Sequence, residues 1–117
     1  MYNLLDGLTV IEASSFVASP TAGLYCAQFG AEVIRVDQVG GGPDYRRWPV
    51  TEGNDSLYWE NLNRAKKSVA LDLSKPEGRE LLQAQAAGAC GPEALLGRIE
   101  DLLVCHLRGA ALALRLG

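Results

Sequence analysis

A strand-helix-strand pattern packed into the first 37 residues constrains this 117-residue chain more than any other feature. Thr9-Val-Ile-Glu-Ala-Ser14 is apolar and rich in β-branched side chains, is entered through Leu5-Asp-Gly7, and reads as a strand. Ser19-Pro20 offers an N-cap and a proline at the first helical position. A helix is predicted through Ala22, Leu24, Cys26, Ala27 and Phe29, with Gly30 placed to end it. Val33-Ile-Arg-Val-Asp37 is the second strand. Two strands joined by a helix over so short a span form a parallel pair with a right-handed crossover.

The pattern then continues. Gly40-Gly-Gly-Pro43 opens a long loop through Asp44, Tyr45, Arg46, Arg47, Trp48 and Pro49, and Ser56 to Arg64 has helical spacing. Ser68 to Leu73 alternates and predicts a third strand. Ser74-Lys-Pro-Glu77 matches a capping box for a helix from about Lys75 to Ala87. Residues 1–83 therefore predict an α/β fold, a partial Rossmann-like parallel sheet of at least three strands with flanking helices. Residues 84–117 form a divergent stretch rich in Leu and Ala. Every aromatic residue lies at or before Trp59 and no lysine follows Lys75. Leu95, Ile99, Leu102, His106, Ala110 and Leu114 fall at helical spacing, so a helical tail is expected, with Gly97 and Gly109 weakening it. With no β-branched run to supply another parallel strand, the sheet is expected to stop early.

Composition excludes several function classes. Eleven Lys and Arg stand against 14 Asp and Glu, a net charge of −3, which argues against a nonspecific nucleic-acid binder. The three cysteines, Cys26, Cys90 and Cys105, contain no Cys-x-x-Cys pair, and with His106 as sole histidine they make no conventional zinc site. No metal is expected, and the thiols read as small hydrophobes of a reducing compartment. Met1 to Glu12 lacks the basic region of a secretory signal. Leu102 to Leu116, the longest apolar run, carries His106, Arg108 and Arg115 and is too short to span a bilayer, so a soluble cytoplasmic protein without membrane contact is expected.

In an open α/β sheet, ligands gather at the carboxyl ends of the strands, where helix N-termini point partial positive charge outward. Three such ends fall at Ser14 to Ser19, Asp37 to Gly42, and Leu71 to Ser74. The first lacks the Gly-x-Gly-x-x-Gly pattern of a dinucleotide site. Phe16, Val17 and Ala18 instead offer an apolar wall with free amides, suited to adenine or a thioester-bearing arm. Arg35, Arg46, Arg47, Arg64, Lys66 and Lys67 bracket this edge. They read either as a solvated basic face or, for Arg46 and Arg47 beside Trp48, as a bidentate grip on phosphate or carboxylate. Asp37 either caps a turn or bonds a ribose hydroxyl. Ser14 and Ser15 have no histidine within reach for a nucleophilic triad, and His106 reads as packing.

Taken together, these segments resemble the start of the class III CoA-transferase family (CaiB/BaiF type). The matching text is Leu5-Asp-Gly-Leu-Thr-Val-Ile-Glu12, Phe16-Val-Ala-Ser-Pro20, Gly30-Ala-Glu-Val-Ile-Arg35, Gly40-Gly-Gly-Pro-Asp44, Arg47-Trp-Pro49, Asn63 to Leu73 and Pro76-Glu-Gly78. Asp37 to Pro49 and Ser56 to Asn63 are similar to the family's mesaconyl-CoA C1–C4 CoA-transferase branch, which moves CoA between two carboxyls of one C5 diacid.

The resemblance implies a CoA-transferase acting on acyl-CoA and carboxylic acids. An aspartate attacks the thioester to give a mixed anhydride, and the two subunits are interlocked homodimers. It carries CoA contacts to Val17 and Ala18, to Gln38, and to Leu71, Asp72, Leu73 and Ser74. Many members place arginine where Gln38 stands, and Arg46 or Arg47 would then supply the missing charge. No residue of this chain corresponds to the nucleophilic aspartate, and Asp101 in the divergent tail does not match it. Family members are several times longer, and after the helix near Gln83 they continue into a strand ending in an Asn-Phe pair. A truncated or frame-altered product without turnover is the expectation, with a non-catalytic CoA-binding module or an inactive remnant as the alternatives.

Overall fold

A computed structural model describes residues 2–90, 102–107 and 110–115. Its elements are β1 (Thr9–Ala13), α1 (Ala18–Gln28), β2 (Glu32–Asp37), α2 (Leu57–Asn63), β3 (Lys67–Ala70), α3 (Pro76–Cys90), β4 (Leu102–Leu107) and β5 (Ala110–Arg115). The sheet order is β3-β2-β1-β4-β5. β1 pairs parallel with β2, setting Val10 opposite Val33 and Glu12 opposite Arg35, and β2 pairs parallel with β3. The three-strand parallel sheet with flanking helices is therefore present as expected.

Strand alternation gives the two faces different helices. Val10 and Val33 are buried with Leu8, Ala27 and Ala31 on the α1 side. Ile11 and Val36 are buried with Leu82 of α3 on the other, where Ile34 and Val69 pack at the margin. Each fully buried aliphatic side chain contributes roughly 1.5–3 kcal/mol.

Local signals decide where α1 stops and only partly where it starts. Gly30, at φ +100°, follows the helix, and its amide reaches Ala27 O while Ala31 N reaches Cys26 O. That paired arrangement satisfies the last carbonyls and needs a left-handed residue, which glycine provides without strain. At the other end the expected cap is displaced. Val17 occupies the N-cap position without a side-chain bond, and Ser19 and Pro20 lie buried inside the first turn. The lost proline donor is harmless there, because the first intrahelical bond runs from Thr21 N to Val17 O. α3 likewise begins at Pro76, and the Ser74 hydroxyl donates to Asp72 Oδ1 at 2.5 Å in place of the expected capping box.

The tail departs from its expected helix. α3 carries helix to Cys90, residues 91–101 lie outside the described residues, and 102–107 and 110–115 are strands. β4 pairs antiparallel with β1, Ile11 opposite Val104, and β5 pairs antiparallel with β4. The physical reason is the second edge of β1. Its buried backbone donors and acceptors must find partners, and a paired strand satisfies them where a helix cannot. Tertiary pairing overrides the local preference of a Leu- and Ala-rich run, so the sheet continues, antiparallel, where it was expected to stop.

Candidate functional site

The carboxyl ends of β1, β2 and β3 form one edge, and a buried charge network lies beneath it. Glu12 and Arg35 are 0% and 1% exposed. Arg35 Nη1 donates to Glu12 Oε1 at 2.8 Å and to Asn63 Oδ1 at 2.9 Å, while its Nε donates to Asp37 Oδ2 at 2.9 Å. Lys66 Nζ pairs with Glu12 Oε2 at 2.8 Å and donates to Pro20 O at 2.7 Å and Asn63 Oδ1 at 3.1 Å. Two carboxylates and two cations leave the network neutral, which is how charge survives burial. Burial lowers the Lys66 pKa, and the Glu12 carboxylate opposes that shift. Gly23 makes room for the network: a Cβ there would lie 1.9 Å from Glu12 Oε2.

This arrangement corrects part of the sequence reading. Arg35 and Lys66 belong neither to a solvated basic face nor to an anion grip, because Glu12 and Asp37 consume their charge inside the protein. Both Asp37 oxygens accept from Arg35 Nε, so its charge is met inside the protein. Lys67 and Glu32 form an exposed pair on the strand surface. The signal that could have found the network was in plain view: Glu12 and Arg35 each interrupt an apolar strand destined for burial on both faces.

Above the network, two loops are pinned together beside the end of β1. Phe16 has φ +70°, a left-handed conformation that is strained for this residue, and its amide donates to Asp44 Oδ2. The amide expected to be free is therefore occupied, while those of Ala18 and Ser19 still precede the first intrahelical donor, Thr21 N. Asp44, 4% exposed, also accepts from Arg47 Nη1 at 3.0 Å. The Arg47 guanidinium lies 4.3 Å from the Phe16 ring centroid and 5.5 Å from that of Tyr58. Burial, then Asp44, raises the Tyr58 pKa against Arg47, so its hydroxyl stays protonated. That hydroxyl is buried and has no hydrogen-bond partner among the described residues. Arg46 is exposed on the same loop.

Between the ends of β2 and β3 lies a cavity of about 300 Å³ lined by Gln38, Val39, Leu71, Asp72, Leu73 and Ser74. This volume is at the lower end for ligand sites, about 300–1,000 Å³. Five of the residues expected to touch CoA are thus brought together. Val17 and Ala18 are exposed at the start of α1, beside β1. Asp72 accepts from Ser74 N at 3.1 Å and from the Ser74 hydroxyl, which lowers its pKa. An ionised acceptor of this kind suits an amino or hydroxyl group and repels phosphate. Among the described residues no group of three His, Cys, Asp or Glu side chains could hold a metal ion. No described helix is long and apolar enough to cross a membrane.

A parallel sheet with ligand-sized space at its strand ends marks the α/β proteins that bind small molecules along that edge. Comparison with known proteins specifies which. A profile of CoA-transferase family III matches residues 5–89, and the chain belongs to that family. It is 54% identical over 83 residues to 2-methylfumaryl-CoA isomerase of Chloroflexus aurantiacus, covering 70% of this chain and 20% of that protein. It is 36% identical over 84 residues to human succinyl-CoA:glutarate CoA-transferase, covering 71% of this chain and 19% of the relative. In structure it is similar to a CaiB/BaiF family protein from Brucella suis, with a TM-score of 0.66 and 35% identity over 75% of this chain and 24% of the other. The chain spans about a fifth of the length of the curated relatives it matches.

Proposed function

We propose that this chain is the coenzyme-holding part of a CoA-transferase that moves CoA between carboxylic acids, acting on a C5 dicarboxylate such as mesaconate. The observation that carries the reading is the cavity at the ends of β2 and β3, whose lining includes Gln38 and Leu71 to Ser74. Asp72 and Gln38 offer polar partners to an adenine or ribose, and Leu71 and Leu73 offer apolar contact. Val17 and Ala18 border the path of the thioester arm. Arg46 and Arg47 supply positive charge for the anionic groups. The likeness to 2-methylfumaryl-CoA isomerase supports the diacid. In the complete enzyme, an aspartate would attack the thioester to form a mixed anhydride, splitting one hard transfer into easier steps. We place this protein in the cytoplasm, with relatives' interlocked homodimers as its assembled form.

None of the residues matched to the family corresponds to that aspartate, which favours a second reading of the isolated chain as a CoA-binding module without turnover. One pair of measurements tests both. Calorimetric titration with CoA is expected to give a dissociation constant in the micromolar to millimolar range, weakened at least tenfold by Ser74→Trp, which fills the cavity. Thioester exchange on mesaconyl-CoA or succinyl-CoA is expected to be absent. Absence of heat with CoA would sink the coenzyme reading, and exchange at ordinary enzyme rates would sink the module.

A further inference from the structure

We propose that Arg47, backed by the Tyr58 hydroxyl, is the receptor for the free carboxylate at the far end of a dicarboxylic acyl group. The inference rests on the reading that acyl-CoA lies along this edge and assigns the anion that Arg47 meets. Asp44 spends one oxygen on Phe16 N and the other on Arg47 Nη1. It thus fixes the guanidinium by one donor, and among the described residues Nε and Nη2 have no hydrogen-bond partner. The Phe16 and Tyr58 rings hold the guanidinium in place, so its open donors are preorganised. The Tyr58 hydroxyl is buried and, among the described residues, is a neutral donor with nothing to donate to. A buried hydroxyl in that state is costly until an acceptor arrives.

Charge and position select the kind of anion. Asp44 lies within hydrogen-bonding distance of the same guanidinium, and its repulsion weighs more on a phosphate dianion than on a carboxylate monoanion. A carboxylate also matches a planar fork two oxygens at a time. The cluster stands beside β1, whereas the cavity that fits the nucleotide end lies between β2 and β3, with no residue shared between the two. An acyl-CoA seated in that cavity therefore brings its acyl end, rather than its phosphates, towards Arg47.

Succinyl-CoA and butyryl-CoA have acyl chains of equal length and differ by the terminal carboxylate, so their affinities for the full chain isolate this contact. Calorimetry is expected to show succinyl-CoA binding about tenfold more tightly than butyryl-CoA. Arg47→Gln should bring the succinyl-to-butyryl affinity ratio down to about one, and Tyr58→Phe should reduce that ratio about threefold. Equal binding of both thioesters by the wild-type chain overturns the proposal. So does an Arg47→Gln variant that weakens CoA and both thioesters alike, which would return Arg47 to the phosphates and leave the coenzyme reading intact. Failure of the wild-type chain to bind any of the three defeats both. Should Arg47→Gln not fold, an unchanged succinyl-to-butyryl ratio in Tyr58→Phe is enough to reject the subsite.

Discussion

The two faces of the parallel sheet solve the same burial problem in opposite ways. On the α3 side, Ile11, Val36 and Leu82 are buried in a hydrocarbon layer that still leaves a cavity of about 340 Å³. On the α1 side the layer starts with Val10 and Val33, then turns ionic at Glu12, Arg35 and Lys66 towards the carboxyl ends of the strands. Hydrocarbon packing is tolerant: side chains of similar volume can replace one another at modest cost. A buried ionic network is not, because each member has a fixed partner and distance. The intolerant material lies directly under the carboxyl ends of β1 and β2, where loops must be held in register, while the apolar layer reaches the same edge at Leu71 and Leu73.

The largest expected effect comes from breaking the ionic side. Glu12→Gln keeps the volume but leaves two cations facing one carboxylate, and should lower stability by about 3–5 kcal/mol in urea unfolding at neutral pH. A loss below about 1 kcal/mol would mean that the network is solvated and the contrast between faces is false. Leu82→Ala, on the apolar side, should cost about 2 kcal/mol, the lower end for such truncations, because the existing cavity lets the interface relax. A cost exceeding that of Glu12→Gln would invert the comparison. The smallest effect concerns the rim of the edge. Hydrogen bonds from Ser74 hold the Asp72 pKa below its ordinary 3.8, so the folded state binds this proton less readily than the unfolded chain. The stability this contributes is present above pH 3.8 and is lost as the pH falls from there through the folded value. Asp72→Asn should therefore flatten the acid limb of the stability profile below about pH 4. An unchanged limb would show that the Ser74 bonds do not persist in solution.

Much of this fold was legible residue by residue. The β-branched runs at Thr9–Ala13 and Glu32–Asp37 and the glycine after α1 announce a parallel unit through purely local chemistry. The tail was not legible, since its helical spacing is real but an unpaired strand edge outweighs it, and that edge exists only once the sheet has formed. Gln38 and Leu71 to Ser74, expected at strand ends, share one cavity, whereas Arg35 and Lys66, which charge counting assigns to a surface face, have buried side chains. Counting basic residues shows their number and not their depth. Depth follows from strand alternation, which sets Glu12 and Arg35 side by side on the covered face. The bond between Phe16 and Asp44 joins residues far apart in sequence and had no local signature.

Glycine within a helix ordinarily weakens it by about 1 kcal/mol relative to alanine. At Gly23 that rule is reversed by a neighbour. The bare spot on α1 is a socket the size of one carboxylate, and the acid of β1 plugs into it while the ammonium of Lys66 closes over the top. The spacing between helix and sheet is thereby gauged by an ion rather than by hydrocarbon bulk. α1 can neither roll nor sink without unplugging it. The helix start, little more than one turn away, inherits that seating, so the exposed Val17 and Ala18 are held in place by a missing side chain.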